Sequence, residues 1–174
     1  FHTLRTVMPV KHEVVCYECG YTFVMLGHLC DTICPKCHES LVMGNHDIEK
    51  TRTGTIKTIG TVELKPGGIL KDADVAAGNV ILAGDAPVCN IKVFRRLELC
   101  PGAQFDLAKI SINDLLVRSK GKFVITHKIV CRNLEIEGNL KAKIFAECIV
   151  VKAGGFLRGE IHSQHLIVEE GGGL

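Results

Sequence analysis

The chain has 174 residues, of which 47% are apolar and none is tryptophan, and its formal net charge is +2. This near-neutral balance gives no electrostatic argument for a nucleic acid or an anionic membrane as partner. No apolar run approaches the roughly 20 residues that a bilayer span requires, and no secretory signal is visible. Because the sequence begins at Phe1, we expect it to be part of a longer chain.

The nine cysteines are odd in number, and four of them form two CxxC pairs. A disulfide framework would use an even number, whereas paired CxxC motifs are typical of one metal site in a reducing compartment. We therefore predict a cytoplasmic protein. Any attachment to a membrane would have to come from parts outside this sequence.

The first element of the chain is a cysteine-rich segment with the pattern C-x2-C-x14-C-x2-C, formed by Cys16, Cys19, Cys34 and Cys37. A hairpin through "YTFVMLG" would bring the two pairs together for tetrahedral coordination at about 2.3 Å. We predict one structural zinc ion held by four thiolates. Residues 1–46 then form a small ribbon whose folding free energy comes from the metal. Three further side chains lie nearby and are not predicted as ligands: His28, Cys30 and His38.

The charge of this ribbon decides which partners it suits. Residues 1–46 contain three Lys/Arg and four Asp/Glu, and a zinc ion with four thiolates adds −2. A net negative module binds phosphate poorly, so we expect protein partners and no nucleic acid. The polar segment 44–50 is predicted to be a linker, and residues 47–174 form the second domain, with "TGTIKTIG" as its first strand.

The second domain repeats one phrase, an apolar-x-apolar triplet followed by a glycine. Successive triplets are 18, 17, 18, 19, 15 and 17 residues apart. They begin at Val62, Val80, Leu97, Leu115, Leu134, Ile149 and Leu166. The alternation within each triplet has the period of a strand, and glycine supplies corners where the backbone turns or approaches closely. We predict an all-β fold in which seven rungs of about 17 residues stack as a β-helix. The pattern leaves the handedness of the coil open.

Histidines are the best catalytic candidates, namely His127, His162 and His165. Hexapeptide acyltransferases use a histidine base, and some β-helical carbonic anhydrases bind zinc through three histidines. His127 lies about two circuits from the other two, or about 9.6 Å, which is too far for one ion to be shared within a chain. We interpret the three as surface residues and predict that the protein is not an enzyme.

The two ends of a β-helix carry unpaired backbone groups and apolar interiors that most solenoids cover. The sequence shows no capping helix at either end, unless the ribbon folds over the upstream one. We therefore predict self-association through the two tips, using residues Ile56, Val62, Leu64, Leu166 and Val168. Contacts that do not close would give an open filament.

The glycine-cornered triplets and "GGFLRGEI" at Gly154–Ile161 resemble the bactofilins, a family of bacterial polymer-forming cytoskeletal proteins. The resemblance covers about Thr51 to Leu174. It implies a right-handed, three-sided β-helix that polymerises without nucleotide and scaffolds envelope, shape or division machinery. A place at the inner face of the cell envelope would fit that role. The ribbon is not part of the usual family pattern. Two alternatives stay open: an adaptor that binds protein, or less readily DNA, through the ribbon, and a hexapeptide-like transferase.

Overall fold

The computed structural model describes residues 8–174, apart from the side chain of Val88. The chain is nearly all β, with 61% of it in strands, and forms a parallel β-solenoid of about seven turns with a cysteine cluster near its N-terminus. This confirms the predicted fold class. Within the described residues the strands are β1 (Lys11–Val15), β2 (Thr22–Leu26), β3 (Thr32–Ile33), β4 (Ser40–Leu41), β5 (His46–Ile48), β6 (Thr51–Leu64), β7 (Ile69–Leu82), β8 (Asp85–Leu99), β9 (Gln104–Phe105), β10 (Ile110–Ser111), β11 (Asp114–Val117), β12 (Lys122–Val124), β13 (Ile129–Ile136), β14 (Asn139–Lys141), β15 (Ile144–Val151), β16 (Phe156–Arg158) and β17 (Ile161–Val168). A single 3-10 turn, Leu107–Lys109, lies between β9 and β10.

The solenoid has three faces, each a column of parallel strand segments. The triplet face carries the repeated phrase, and all seven predicted triplets pair in direct register with their neighbours. The second face follows it along the chain and runs through residues 51–52, 69–70, 85–86, 104–105, 122–124, 139–141 and 156–158. The third face completes each turn and includes residues 55–58, 74–77, 90–93, 110–111, 129–131, 144–146 and 161–163.

Alternation along each strand sends every second side chain into the coil. Leu97 and Leu99 are fully buried, whereas Glu98 between them points outward and forms an ion pair with Arg118 (Nη2–Oε2 2.8 Å). Like residues stack on like from rung to rung, because parallel strands lie about 4.8 Å apart in register. The interior of the solenoid is therefore one continuous aliphatic core.

Two glycines show why the corners exclude side chains. At Gly78, where β7 turns from the third face to the triplet face, a Cβ atom would lie 2.4 Å from the carbonyl oxygen of Ile59. At Gly84 it would lie 2.4 Å from the carbonyl oxygen of Gly68. Both corners press directly on the corner of the rung below, so a residue larger than glycine would push the stack apart.

The segment 44–50, which we predicted to be a linker, contains β5. This strand pairs in parallel with Val62–Leu64 and so adds one more level to the triplet face. Its Ile48 is 5% exposed and packs in the core. The ribbon therefore passes directly into the solenoid without an intervening flexible segment.

Cys131 and Cys148 are one circuit apart in sequence, and that spacing favoured a stacked pair. The structure instead places Cys131 opposite Ala146, and Cys148 between Asn133 and His165. Cys131 points into the core, where burial raises the pKa of its thiol to about 12 with a further contribution from Asp114. Its role is that of a small apolar side chain.

The ladder of strands is interrupted at one level of the coil. On the second face, β9 pairs with β8 and β12 pairs with β14, but β9 and β12 do not pair with each other. On the third face, β10 pairs with β8 but not with β13. Only the triplet face is continuous there, because β11 pairs with both β8 and β13.

Candidate metal centre

Two similar knuckles carry the four cysteines that the sequence singled out. In the first, the amide of Gly20 donates to the carbonyl of Cys16 (2.9 Å), and in the second the amide of His38 donates to the carbonyl of Cys34 (2.9 Å). Gly20 and His38 both have left-handed backbone, with φ of 73° and 63°. Each CxxC therefore closes a tight turn that directs both of its sulfurs to the same side.

The four sulfur atoms lie together between the knuckles, all within 4.8 Å of one another. The Cys16 and Cys37 sulfurs are 3.8 Å apart and the Cys19 and Cys34 sulfurs 3.7 Å apart. A disulfide would need about 2.05 Å. A tetrahedral ion with metal–sulfur bonds of about 2.3 Å separates its ligands by about 3.8 Å. The residues present therefore fit a metal ion with four thiolate ligands.

The electrostatics of the cluster also favour a cation. Burial raises the pKa of the Cys34 thiol, but the amides of Cys37 and Lys36 donate to its sulfur and bring that pKa down to about 6. At Cys37 the amide of Glu39 lowers the pKa, while burial and the neighbouring sulfurs outweigh it and raise the pKa to about 12. One thiolate forms readily, and further ones are opposed by their like charges. A bound divalent cation removes that opposition.

The ribbon packs against the first turn of the solenoid. Ile59 of β6 is 3% exposed and lies in a cluster with Val14, Cys16, Cys34 and Leu41 of the ribbon. Its amide donates to the carbonyl of Val42 (2.8 Å). The coil thus supplies one buried apolar side chain to the cluster of the ribbon.

Thr58 forms hydrogen bonds at the buried side of the junction between the ribbon and the solenoid. It is a fully buried polar residue whose hydroxyl lies 2.6 Å from the carbonyl oxygen of Gly44 and accepts from the amide of Gly60 at 2.9 Å. At the surface Lys57 forms an ion pair with Glu18 of the first knuckle (2.6 Å). The knuckles are therefore held in a fixed position on the coil.

The nearby side chains that we left unassigned do not join the metal cluster. Cys30 is exposed, and neither it nor His28 is among the grouped ligand atoms. His38 contributes its left-handed backbone to the second knuckle. The sequence pattern gave no sign of this role, because left-handed backbone is expected at glycine rather than at histidine.

The three candidate catalytic histidines lie on the outer surface. His127 is 4.0 Å from Asp106, and His162 stacks on Phe145 with its Nε2 atom 2.7 Å from Glu160. His165 lies opposite Cys148. In the described residues the four cysteines are the one group of three or more potential ligands close enough to hold a metal.

The residues predicted to mediate self-association fall into two groups. Ile56, Val62 and Leu64 are buried, with at most 2% of each exposed. Leu166 and Val168 are 42% and 40% exposed on β17, the last strand of the triplet face. Of the two tips, the downstream one presents its apolar residues.

Within residues 8–174 no helix has the length and hydropathy of a membrane span. Comparison of this chain with known proteins found no matching family model, no matching curated protein and no matching solved structure.

Proposed function

We propose that this protein is a non-enzymatic scaffold in which two copies associate through the downstream ends of their solenoids. In this proposal the ribbon covers part of the upstream end and is held by one structural zinc ion. A four-thiolate site leaves no open position on a tetrahedral ion, so the metal stabilises the fold and does not catalyse a reaction. Zinc is the metal that best matches four thiolates at these sulfur separations.

One observation carries the proposal: Leu166 and Val168 are exposed, although the matching positions in the rung below are buried. Their partners on β15, Ile149 and Val151, are both 0% exposed. The outer edge of β17 pairs with no strand in the described residues, and this strand is eight residues long. A long apolar edge of this kind is a template for pairing with another chain.

The upstream end is built differently. Its outermost strand on the triplet face, β5, has only three residues, and Asp47 within it and Glu49 and Lys50 after it are exposed and charged. The inward side chains Ile48 and Ile56 are buried. Short edges with charged residues resist pairing. With one adhesive end per copy, the contact closes on itself as a two-fold pair rather than an open filament.

A two-fold axis across the solenoid axis makes the two β17 strands antiparallel. Each copy then covers the other's Leu166 and Val168, and each exposed backbone edge gains hydrogen bonds. Burying two pairs of these side chains, each now about half exposed, contributes on the order of several kcal/mol before the cost of association.

Sedimentation equilibrium tests this proposal. The wild-type chain should form dimers whose fraction rises with concentration, and the variant with Leu166→Lys and Val168→Lys should be monomeric. Ile167→Lys is the matched control, because Ile167 lies on the same strand but points to the outer surface. Monomers of the wild type at high concentration, or equal dimerisation of all variants, would contradict the proposal.

A second candidate, an adaptor that binds proteins through the ribbon, is favoured by the outer face of the β1–β2 hairpin. Val24 and Leu26 there are 57% and 60% exposed, and Val10 beside them is 63% exposed. Apolar patches of this kind mark protein contacts more often than nucleic-acid contacts. When proteins that bind the chain are recovered with it, a variant with Val24→Lys and Leu26→Lys should recover less of them than the wild type. It should retain its metal and its dimer. Unchanged recovery of the same proteins would argue against the adaptor.

A further inference from the structure

The interruption of the ladder forms a cleft that no part of the proposed scaffold uses. It lies between β9 and β12, has a volume of about 470 Å³, and is lined by residues 103–107 and 122–127. Both lips are strands that run in the same direction as the rest of the stack. The two halves of the coil remain joined on the triplet face through β11.

The lips present backbone groups to the cleft. The carbonyl of Gly121 accepts from Asn139, and the amide of Ile125 donates to Lys141, so these groups face β14. Because backbone groups alternate along a parallel strand, those of Lys122 and Val124 face the cleft. On the other lip, Gln104 donates to the carbonyl of Gly84, which leaves the backbone of Phe105 facing the cleft.

The floor of the cleft is the apolar interior of the coil. In the part of the chain that the structure describes, seven partly buried hydrophobics pack against the core, and five of them lie at this level: Phe105, Ile110, Ile112, Phe123 and Ile125. Two contacts join the lips. The rings of Phe105 and Phe123 are 5.7 Å apart between centroids, and Asp106 is 4.0 Å from His127. Polar edges above an apolar floor are the features that an extended polypeptide needs in order to add a strand.

The surface beside the cleft selects the charge of such a polypeptide. On the downstream side of the cleft, segments 120–128, 139–143 and 156–158 contain six Lys/Arg and no Asp/Glu, whereas the upstream lip carries Asp106. We call these residues the cationic surface: Lys120, Lys122, Lys128, Lys141, Lys143 and Arg158. Since the net charge of the whole chain is +2, the other residues sum to −4. Among the described residues only Lys143 of this set forms an ion pair, with Glu160 at 3.1 Å.

We propose that this cleft binds one extended, acidic segment of another polypeptide, which pairs in parallel with β9 and β12. Its inward side chains pack on Phe105 and Phe123, and its outward carboxylates lie beside Lys122. Insertion widens the cleft, and β11 acts as the hinge because it stays paired on both sides. A lipid or a nucleic acid would meet the charge of the cationic surface but would leave the two backbone edges unpaired.

Hydrogen exchange first tests the free protein. The amides of Lys122 and Val124 should exchange faster than those of Phe123 and Ile125, whose backbone groups pair with β14. Equal protection of all four amides would overturn the proposal, since the lip would then be paired already.

Peptide binding tests the occupant. The probe is a short fluorescent peptide of alternating glutamate and valine, and its binding should weaken as salt is added. The same peptide with an N-methyl group on every residue keeps its charge and side chains but has no backbone N–H to donate to either lip. Binding of the unmodified peptide only, with new protection at Lys122 and Val124, supports the proposal. Equal binding of both peptides, or binding of neither at millimolar concentration, overturns it.

Matched protein variants complete the experiment. Lys122→Glu reverses a charge at the lip and should weaken peptide binding about fivefold or more. Lys71→Glu, at an exposed position of β7 outside the cationic surface, should leave peptide binding unchanged. Equal effects of the two variants would overturn the proposal, because net charge alone would then explain the binding. Neither substitution touches β17, so the outcome is independent of dimerisation.

Discussion

The ribbon and the solenoid of this chain are stabilised by different means, although they share one junction. In the described residues thirty buried side chains form the core of the solenoid, whereas five form the cluster of the ribbon. Of those five, Cys16 and Cys34 are candidate metal ligands and Ile59 comes from the coil. Val14 and Leu41 are the two others, and partly buried ribbon side chains such as Phe23 pack against the cluster.

This difference fits the proposed role of the metal, which takes the place of a core in the ribbon. A segment of this size cannot bury enough apolar surface to offset its conformational entropy, and coordination supplies the missing free energy. The solenoid needs no such support, because each rung buries the interior of the next. Loss of the metal should therefore damage one region and spare the other.

Metal removal should change stability most, because the ribbon should depend on the ion and the solenoid should not. Cys34→Ser, or a strong chelator, should unfold residues up to about 43 and remove on the order of 10 kcal/mol of ribbon stability. The far-ultraviolet dichroism of the solenoid should persist, while trypsin gains access to Lys36. Cys30→Ser is the control, because Cys30 lies outside the cluster and should retain one bound metal per chain. Unfolding of the solenoid along with the ribbon would show that the two regions are not stabilised by different means.

Truncation of a core side chain should instead destabilise the solenoid and leave the ribbon intact. Leu134 is 1% exposed in the middle of the stack, and Leu134→Ala should destabilise the solenoid by about 2–5 kcal/mol in urea unfolding. Leu166→Ala, the same change at the exposed end of the same column, should cost the monomer less than about 2 kcal/mol. Metal content should be unchanged in both. Equal costs would mean that the last rung is as well packed as the interior.

Loss of the Thr58 hydroxyl should weaken the junction between the ribbon and the solenoid. Thr58→Val keeps the shape of a fully buried side chain but removes its hydrogen bonds with the carbonyl of Gly44 and the amide of Gly60. We expect a loss of about 1–3 kcal/mol, seen as faster amide exchange in both regions. Thr55→Val, at an exposed position on the same strand, is the control. An unchanged exchange pattern would show that the ribbon and the coil are not coupled through this residue.

The stacking of the solenoid and the four cysteines followed from the sequence because each has a short, regular signal. The triplets repeat with period two inside a longer period, and CxxC spacing is dictated by the geometry of the ion. The strand β5 was missed because "HDI" has only one apolar residue. Its pairing depends on Val62–Leu64 rather than on its own propensity.

Two other features depend on which residues the fold brings side by side. The sequence does not reveal the break between β9 and β12. Phe105 and Phe123 continue the apolar repeat, although β9 and β12 do not pair with each other. The near-zero net charge of the whole chain does not reveal the cationic surface, because its five lysines and one arginine come from three segments about one circuit apart. Net charge describes the whole chain, whereas a partner meets one face of it.

The last prediction concerns a small difference in stability that arises from one turn position in the two knuckles. Gly20 and His38 occupy the same turn position with left-handed backbone, which glycine adopts freely and histidine adopts at a cost of about 1–2 kcal/mol. Glycine also loses more conformational entropy on folding, so His38→Gly should stabilise the metal-bound ribbon by no more than about 1 kcal/mol. His38→Val should destabilise it, because a β-branched residue disfavours this backbone more strongly. Competition with a metal chelator would show the order glycine, histidine, valine in metal retention. The reverse order would mean that the His38 side chain itself stabilises the knuckle, and that the two turns are alike in shape but not in the cause of their stability.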